Sequence, residues 1–192
     1  MTRIIAGSHG GRRLTMPAGQ GTRPTSDRVK EAVFTALTSW LGTVGADPAD
    51  SLADQGFCDL YAGSGAMGLE AASRGAAPVL LVERERKASG VIRRNADDLG
   101  LGVEIASARV ETLVAQPSPT AYDIVWLDPP YDVSSDALDR VVADLVGQGW
   151  IAPNGIIAIE RSGRSTAPQW PDGFTDGWTK NYGDTAVHFG CG

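Results

Sequence analysis

The sequence predicts an α/β domain in which a largely parallel sheet carries helices on both faces. Three observations point there. From residue 57 to residue 160, short and almost wholly apolar runs alternate with longer amphipathic stretches, the pattern of strands joined by right-handed helical crossovers. A glycine-rich turn follows the first of these runs. The 192 residues, 42% of them hydrophobic, are enough for one domain with a proper core.

The elements follow in order. Residues 3–22 scatter Gly7, Gly10, Gly11, Gly19 and Gly21 among Ile4, Ile5 and Leu14, which predicts a β-hairpin rather than a helix. Thr25, Ser26 and Asp27 are helix N-cap candidates, and Val29, Val33, Phe34, Leu37, Trp40 and Leu41 have the spacing of one helical face ending near Gly42. Residues 42–56, rich in Gly, Asp and Ala, read as a loop. Strands are predicted at 57–61, 79–82, 103–106, 124–127 and 156–159, with helices at 66–74, 86–99, 110–115 and 135–147. The tail, at 174–180 and 185–189, reads as an antiparallel hairpin turning through 181–184. The expected division is a hairpin extension over residues 1–24 and a main domain over 25–192.

Charge is uneven along this chain. Of its 17 basic and 23 acidic side chains, six basic and one acidic fall within residues 1–30, leaving 11 and 22 for the rest. A basic arm on an acidic body suits a polyanionic partner. No run of about 18 apolar residues occurs, so no membrane-spanning helix is expected, and the start lacks a secretory pattern, so the expected location is cytoplasmic. Cys58, Cys191, His9 and His188 stand apart, which gives neither a disulfide framework nor a zinc site. Cys58 and His188 are read as core residues. Arg84, Arg86, Lys87, Arg93 and Arg94 fit either an extension of the basic surface or a solvated helix face.

Two segments carry chemistry. Asp59-Leu60-Tyr61-Ala62-Gly63-Ser64-Gly65-Ala66-Met67-Gly68 leads from the first strand into its helix, and Gly63, Gly65 and Gly68 satisfy G-x-G-x-x-G in the strand-to-helix setting that gives this pattern meaning. Glu83 ends the second strand, where a carboxylate can accept from both hydroxyls of a ribose. A nucleoside-containing cofactor follows. Asp59 favours S-adenosylmethionine over a nicotinamide dinucleotide, because a carboxylate there repels a pyrophosphate but accepts from an ammonium.

The second segment, Asp128-Pro129-Pro130-Tyr131, follows the apolar run Ile124-Val125-Trp126-Leu127 and should share one cleft with the glycine turn at the carboxyl ends of the strands. Paired prolines make a rigid loop rich in carbonyl acceptors. An amino group suits it: Asp128 and the Pro129 carbonyl accept its hydrogens, and Tyr131 offers a face for a base. Orientation and electrostatics would supply the catalysis.

Asp59–Gly65 with Asp128–Tyr131 resembles motifs I and IV of the S-adenosylmethionine-dependent amino methyltransferases. Together with Arg3-Ile4-Ile5-Ala6-Gly7, Gly11-Arg12-Arg13-Leu14, Arg23-Pro24-Thr25, Asp27-Arg28-Val29-Lys30-Glu31 and Asn181-Tyr182-Gly183-Asp184-Thr185, these motifs resemble the RsmD family of bacterial 16S ribosomal RNA guanine-N2 methyltransferases. The resemblance implies a seven-stranded Rossmann-like sheet and S-adenosylmethionine as cofactor. It also implies a guanine of 16S rRNA as acceptor, within a small-subunit particle, and no metal. By residue it implies cofactor contacts from Asp59, Ala62, Gly63, Ser64, Gly65, Glu83, Arg84 and Arg109. The amino-group site would be Asp128, Pro129, Pro130 and Tyr131, and the RNA contacts would come from Arg3, Arg12, Arg13, Arg23, Thr25 and Arg28. Ser107-Ala108-Arg109 departs from relatives that place Asp or Asn beside the adenine, since an arginine side chain cannot accept a hydrogen bond. Adenine N6, a protein glutamine, or RNA binding without catalysis remain alternative readings. The arm is expected to be separable from the cofactor cleft.

Overall fold

The computed structural model describes residues 2–17, 25–174 and 176–192. Its elements run α1 (Asp27–Leu41), β1 (Phe57–Leu60), α2 (Ala66–Ser73), β2 (Val79–Val82), α3 (Arg86–Leu99), β3 (Glu104–Ala106), α4 (Val110–Val114), β4 (Tyr122–Leu127), α5 (Ser135–Gly147), β5 (Ile151–Ser162), β6 (Asp176–Tyr182) and β7 (Thr185–Cys191). The strands form one seven-stranded sheet in the order β3-β2-β1-β4-β5-β7-β6. Five are parallel; β7 lies antiparallel between β5 and β6. This is the Rossmann-like sheet that the resemblance implies. No helix among the described residues is long and apolar enough to cross a membrane.

The central strands are apolar on both sides because both faces are covered. Phe57, Leu81, Ile124, Trp126, Ile156 and Val187 face α1, α2 and α3 in one core. Cys58, Leu60, Val82, Val125, Leu127, Ile157 and Ile159 face α4 and α5 in the other. Cys58 is accordingly wholly buried. Alternation then fixes where the residues just beyond each strand point, which matters for the site.

Several boundaries differ from expectation. β5 begins at Ile151, before the apolar run, and its pairing with β4 slips between Tyr122 and Ile124; the irregular stretch hides this first part of the strand from an apolar pattern. β6 includes Asn181 and Tyr182, so the turn shrinks to Gly183-Asp184, with Gly183 at φ 64°. A two-residue turn with positive φ matches the twist of a tight hairpin. The 42–56 segment packs rather than dangles: Leu52 is fully buried and its N–H donates to the Arg74 carbonyl at 2.9 Å.

The arm turns back on itself through a single bridge between Arg3 and Arg13, with Ile4 N–H donating to Arg12 at 2.8 Å. It does not stand apart, because Ile4 and Leu14 are buried in the core shared with α1, α2 and α3. Glu70 of α2 accepts from the Ile5 and Ala6 N–H groups at 2.6 and 2.9 Å. The same carboxylate meets Arg74 at 2.9 Å and Lys30 at 3.5 Å, and the Lys30 ammonium also donates to the Arg3 carbonyl.

Candidate active site

A cleft of about 470 Å³ opens at the carboxyl ends of β1, β2, β4 and β5, within the size range of small-molecule sites. At one end the loop after β1 passes Ala62, Gly63 and Ser64 along the cleft. Gly65 lies beneath the loop instead. It caps α2 at φ 81°, and a Cβ on it would meet Ile92 at 3.0 Å and Leu81 at 3.1 Å. Its part is close packing of helix on sheet, shared with Gly68, where a Cβ would stand 2.7 Å from Leu81. The expectation of a cofactor contact from Gly65 is corrected to that extent, since it is not among the cleft-lining residues.

Both carboxylates of the first motif line the cleft and both brace the loop. Asp59 is buried and accepts from the Gly68 N–H at 2.8 Å. Burial raises its carboxyl to about 7, opposed by that N–H and reinforced by nearby Glu83. Glu83 accepts from Gly63 N–H at 2.9 Å and from Glu85 N–H at 2.8 Å. Each oxygen has a further lone pair for a ligand hydroxyl. Arg84 reaches the cleft wall, but Arg109 does not: it is exposed at the start of α4, while Ala108, Val110 and Glu111 line the cleft in its place. Tyr61 (φ 65°) donates its hydroxyl to Glu111 at 2.9 Å and lines the same wall.

At the other end stand Asp128, Pro129, Pro130 and Tyr131. Tyr131 is 77% exposed, an aromatic face at the rim. Asp128 continues β4 on the side of Trp126, towards α1. There Ser26 caps α1 by accepting from Val29 N–H at 3.3 Å. The preceding residue, Thr25, is left free to enter the cleft, where its hydroxyl lies 3.3 Å from Asp128 and 2.9 Å from Glu160. Thr25, expected to meet RNA, therefore belongs to the amino-group end of the cleft.

Glu160 was not a sequence candidate. Pairing of Leu127 with Ile159 makes Asp128 and Glu160 consecutive to a register pair on neighbouring parallel strands, on the same face. Burial raises the Asp128 carboxyl well above the carboxylate range; repulsion from Glu160 and Asp59 adds to this, whereas Thr25 and Arg161 oppose it. Burial likewise raises Glu160, against the Thr25 contact. The available signal was an acid directly after the apolar run at 156–159, the same arrangement as Asp128 after 124–127. Arg161 also lines the cleft and holds its loop by donating to the Val133 carbonyl at 3.0 Å.

The remaining RNA candidates sit on the surface. Arg3 is exposed and pairs with Asp27 at 3.3 Å; Arg12 donates to the Asp98 carbonyl at the end of α3, at 3.3 Å; Arg13 and Arg28 are exposed. Arg23 lies outside the described residues. The arm is not separable from the cleft as expected. Met16 and Pro17 line it, and Asn95 exchanges hydrogen bonds with Thr15 at 2.9 and 3.0 Å while donating to the Ser64 carbonyl of the glycine turn at 3.2 Å. Among the described residues no group of three or more His, Cys, Asp or Glu side chains is placed to hold a metal ion.

Comparison with known proteins agrees with this geometry. The family model described as Conserved hypothetical protein 95 matches residues 2–191. The chain is 35% identical over 170 residues to the Ribosomal RNA small subunit methyltransferase D of Escherichia coli (strain K12), covering 88% of this chain and 79% of that protein. It is 31% identical to the Haemophilus influenzae protein of the same name, covering 82% and 77%. The solved structure of an Escherichia coli protein with the provisional name methyltransferase yhhF superposes with TM-score 0.83 at 30% identity, covering 99% of this chain and 97% of that one. A match that spans nearly every residue, arm included, places this chain in the Conserved hypothetical protein 95 family, the RsmD family that its motifs resemble.

Proposed function

We propose that this protein transfers a methyl group from S-adenosylmethionine to the exocyclic N2 amino group of a guanine in 16S rRNA. The observation that carries the reading is the single cleft that joins Asp59 and Glu83 to Asp128-Pro129-Pro130-Tyr131. The acceptor reading is in keeping with the names of the relatives, ribosomal RNA small subunit methyltransferases. We assign residues 25–192 as the methyltransferase domain and 1–24 as its basic extension. Acceptor RNA within a small-subunit particle, worked on in the cytoplasm and without a metal, completes the proposal.

The chain's own groups fit this cofactor. Two acids, Asp59 and Glu83, line the glycine-turn end of the cleft, an arrangement that, when ionised, suits a cationic ligand and disfavours a pyrophosphate. Asp59 would accept from the ammonium and Glu83 from the ribose hydroxyls. Bound there, S-adenosylmethionine supplies a methyl group activated on a sulfonium.

Guanine N2 is a poor nucleophile because its lone pair is delocalised into the ring. Asp128 and the Pro129 carbonyl, by accepting its two N–H groups, favour the geometry in which the lone pair faces the methyl. Their contribution is orientation and electrostatic stabilisation at near-attack distance. Tyr131, at the rim, gives the unstacked base a face to lie on. The test is transfer of labelled methyl to 16S rRNA, naked and in small-subunit particles, with nucleoside mass spectrometry of the product. N2-methylguanosine is the expected product. Asp128→Ala should lower single-turnover transfer by on the order of 10²-fold or more with little change in cofactor affinity. Methyl on another base, or on no base, overturns the reading.

A further inference from the structure

Asp128 and Glu160 share a single hydroxyl. Thr25 has one proton to give and lies within hydrogen-bond distance of both carboxyl groups, so two ionised carboxylates would set one lone pair against another. The pair therefore shares a proton in the free protein, in keeping with two close acids that cannot both ionise. The groups facing it offer little relief. Asp59 adds negative charge to Asp128 from β1, Arg161 opposes it, and among the described residues no cation forms an ion pair with either acid. If the ligand were an amino group alone, Asp128 and the Pro129 carbonyl would already accept both of its hydrogens and leave Glu160 without a partner. A base with a second donor beside that amino group gives Glu160 its use.

Guanine is that base. Its edge presents the N2 amino group next to a ring N1–H, whereas adenine and cytosine present their amino groups next to an unprotonated ring nitrogen. We propose that Glu160 accepts a hydrogen bond from guanine N1–H while Asp128 and the Pro129 carbonyl accept from N2, which makes Glu160 the residue that selects guanine. This rests on the methyl-transfer reading above. Donors and acceptors then balance: N1–H meets Glu160, the two N2 hydrogens meet Asp128 and Pro129, and the Thr25 hydroxyl serves a remaining lone pair. The shared proton leaves to solvent when guanine enters. Once that proton is gone, as at alkaline pH, an adenine or a cytosine would place its ring lone pair against the Glu160 carboxylate and leave both acceptors unpaired.

The test uses 2-aminopurine, which keeps the 2-amino group but has no hydrogen on N1. Once mass spectrometry has located the methylated nucleotide, 16S rRNA carrying guanine or 2-aminopurine there is assayed with the full chain at alkaline pH. The native protein should prefer guanine in kcat/KM by on the order of 10²-fold or more. Glu160→Gln keeps a contact to Thr25, and its amide can turn to accept from guanine or donate to the analogue. That variant should narrow the preference to within about tenfold, with S-adenosylmethionine affinity unchanged. Should Glu160→Gln not fold, as judged by thermal melting, Glu160→Asp should lose transfer to guanine without gaining the analogue. Undiminished preference for guanine in a folded Glu160→Gln protein, or undiminished transfer by Glu160→Asp, overturns the inference. Failure of the native protein to make N2-methylguanosine overturns the functional reading instead, and the two failures are distinguished by the native control.

Discussion

Asp59 has two claims on its carboxylate: the Gly68 N–H that it accepts at 2.8 Å and the ammonium that it is proposed to meet. They are compatible because a carboxylate has several acceptor positions. Burial, the largest cause, raises its carboxyl to about 7, so the free site holds a proton below that pH, and a cation must displace it. The sign follows: S-adenosylmethionine affinity should fall as pH drops below about 7, approaching tenfold per unit when fully coupled. Calorimetric titration from mildly acidic to neutral pH checks this, and a flat profile removes Asp59 from the ammonium contact. Asp59, Glu83 and Asp128 were legible because each lies within or directly after a short apolar strand, Asp59 and Asp128 beside a turn of distinctive composition. Glu160 follows an apolar run too, but inside β5 and without such a turn, and the register of β4 against β5 places it beside Asp128. Arg109 shows the reverse case. Its position after β3 was read correctly, yet a long charged side chain at the start of a short helix turns to solvent, where its charge is hydrated.

At the scale of elements, α1, α2 and the arm are fastened at one buried carboxylate. Glu70 serves Ile5, Ala6, Arg74 and Lys30 together, and Lys30 and Glu70 are both fully buried. Burial lowers the Lys30 ammonium against the attraction of Glu70 and Asp27. Removing the carboxylate leaves a buried cation and two backbone donors without their partner, so Glu70→Ala should destabilise the fold by about 3–5 kcal/mol, measured by urea unfolding. A change within about 1 kcal/mol would mean that the cluster behaves like a solvated surface pair. Helices and strands here were largely legible, because apolar runs buried on both faces and capped amphipathic helices are local patterns. The fastening was not: Lys30 and Glu70 read as ordinary charged residues of two amphipathic helices, and the 39 intervening positions give no local sign that they meet. The same blindness affected the arm: in place of the expected hairpin strands the described residues show one bridge between Arg3 and Arg13, and its burial against α2 had no local sign.

For the whole molecule, the consequence is that the basic arm supplies both attraction and part of the cleft wall. Thr15, Asn95 and Ser64 form a continuous hydrogen-bonded path from the arm through α3 to the glycine turn. Deleting residues 1–17 should therefore weaken S-adenosylmethionine binding as well as RNA binding, and calorimetry on a truncated protein that still melts cooperatively tests it; unimpaired cofactor affinity would restore the separable arm. RNA attraction has to be probed by other means than truncation. Arg12 rests on the Asp98 carbonyl at the end of α3, and exposed Arg94 lies one turn earlier on that helix, with exposed Arg93 beside it. These three exposed cations lie where the arm meets α3. Contacts of this kind act on phosphates and release counterions, so each one lost should lower the slope of log affinity against log salt by about 0.7–0.9. Replacing Arg12, Arg93 and Arg94 with Gln should weaken 16S rRNA binding most at low salt and flatten that slope by roughly two or more, while leaving S-adenosylmethionine affinity in place. A slope equal to that of the native protein would put the RNA on another face, and the exposed cations of α3 would then be a solvated surface.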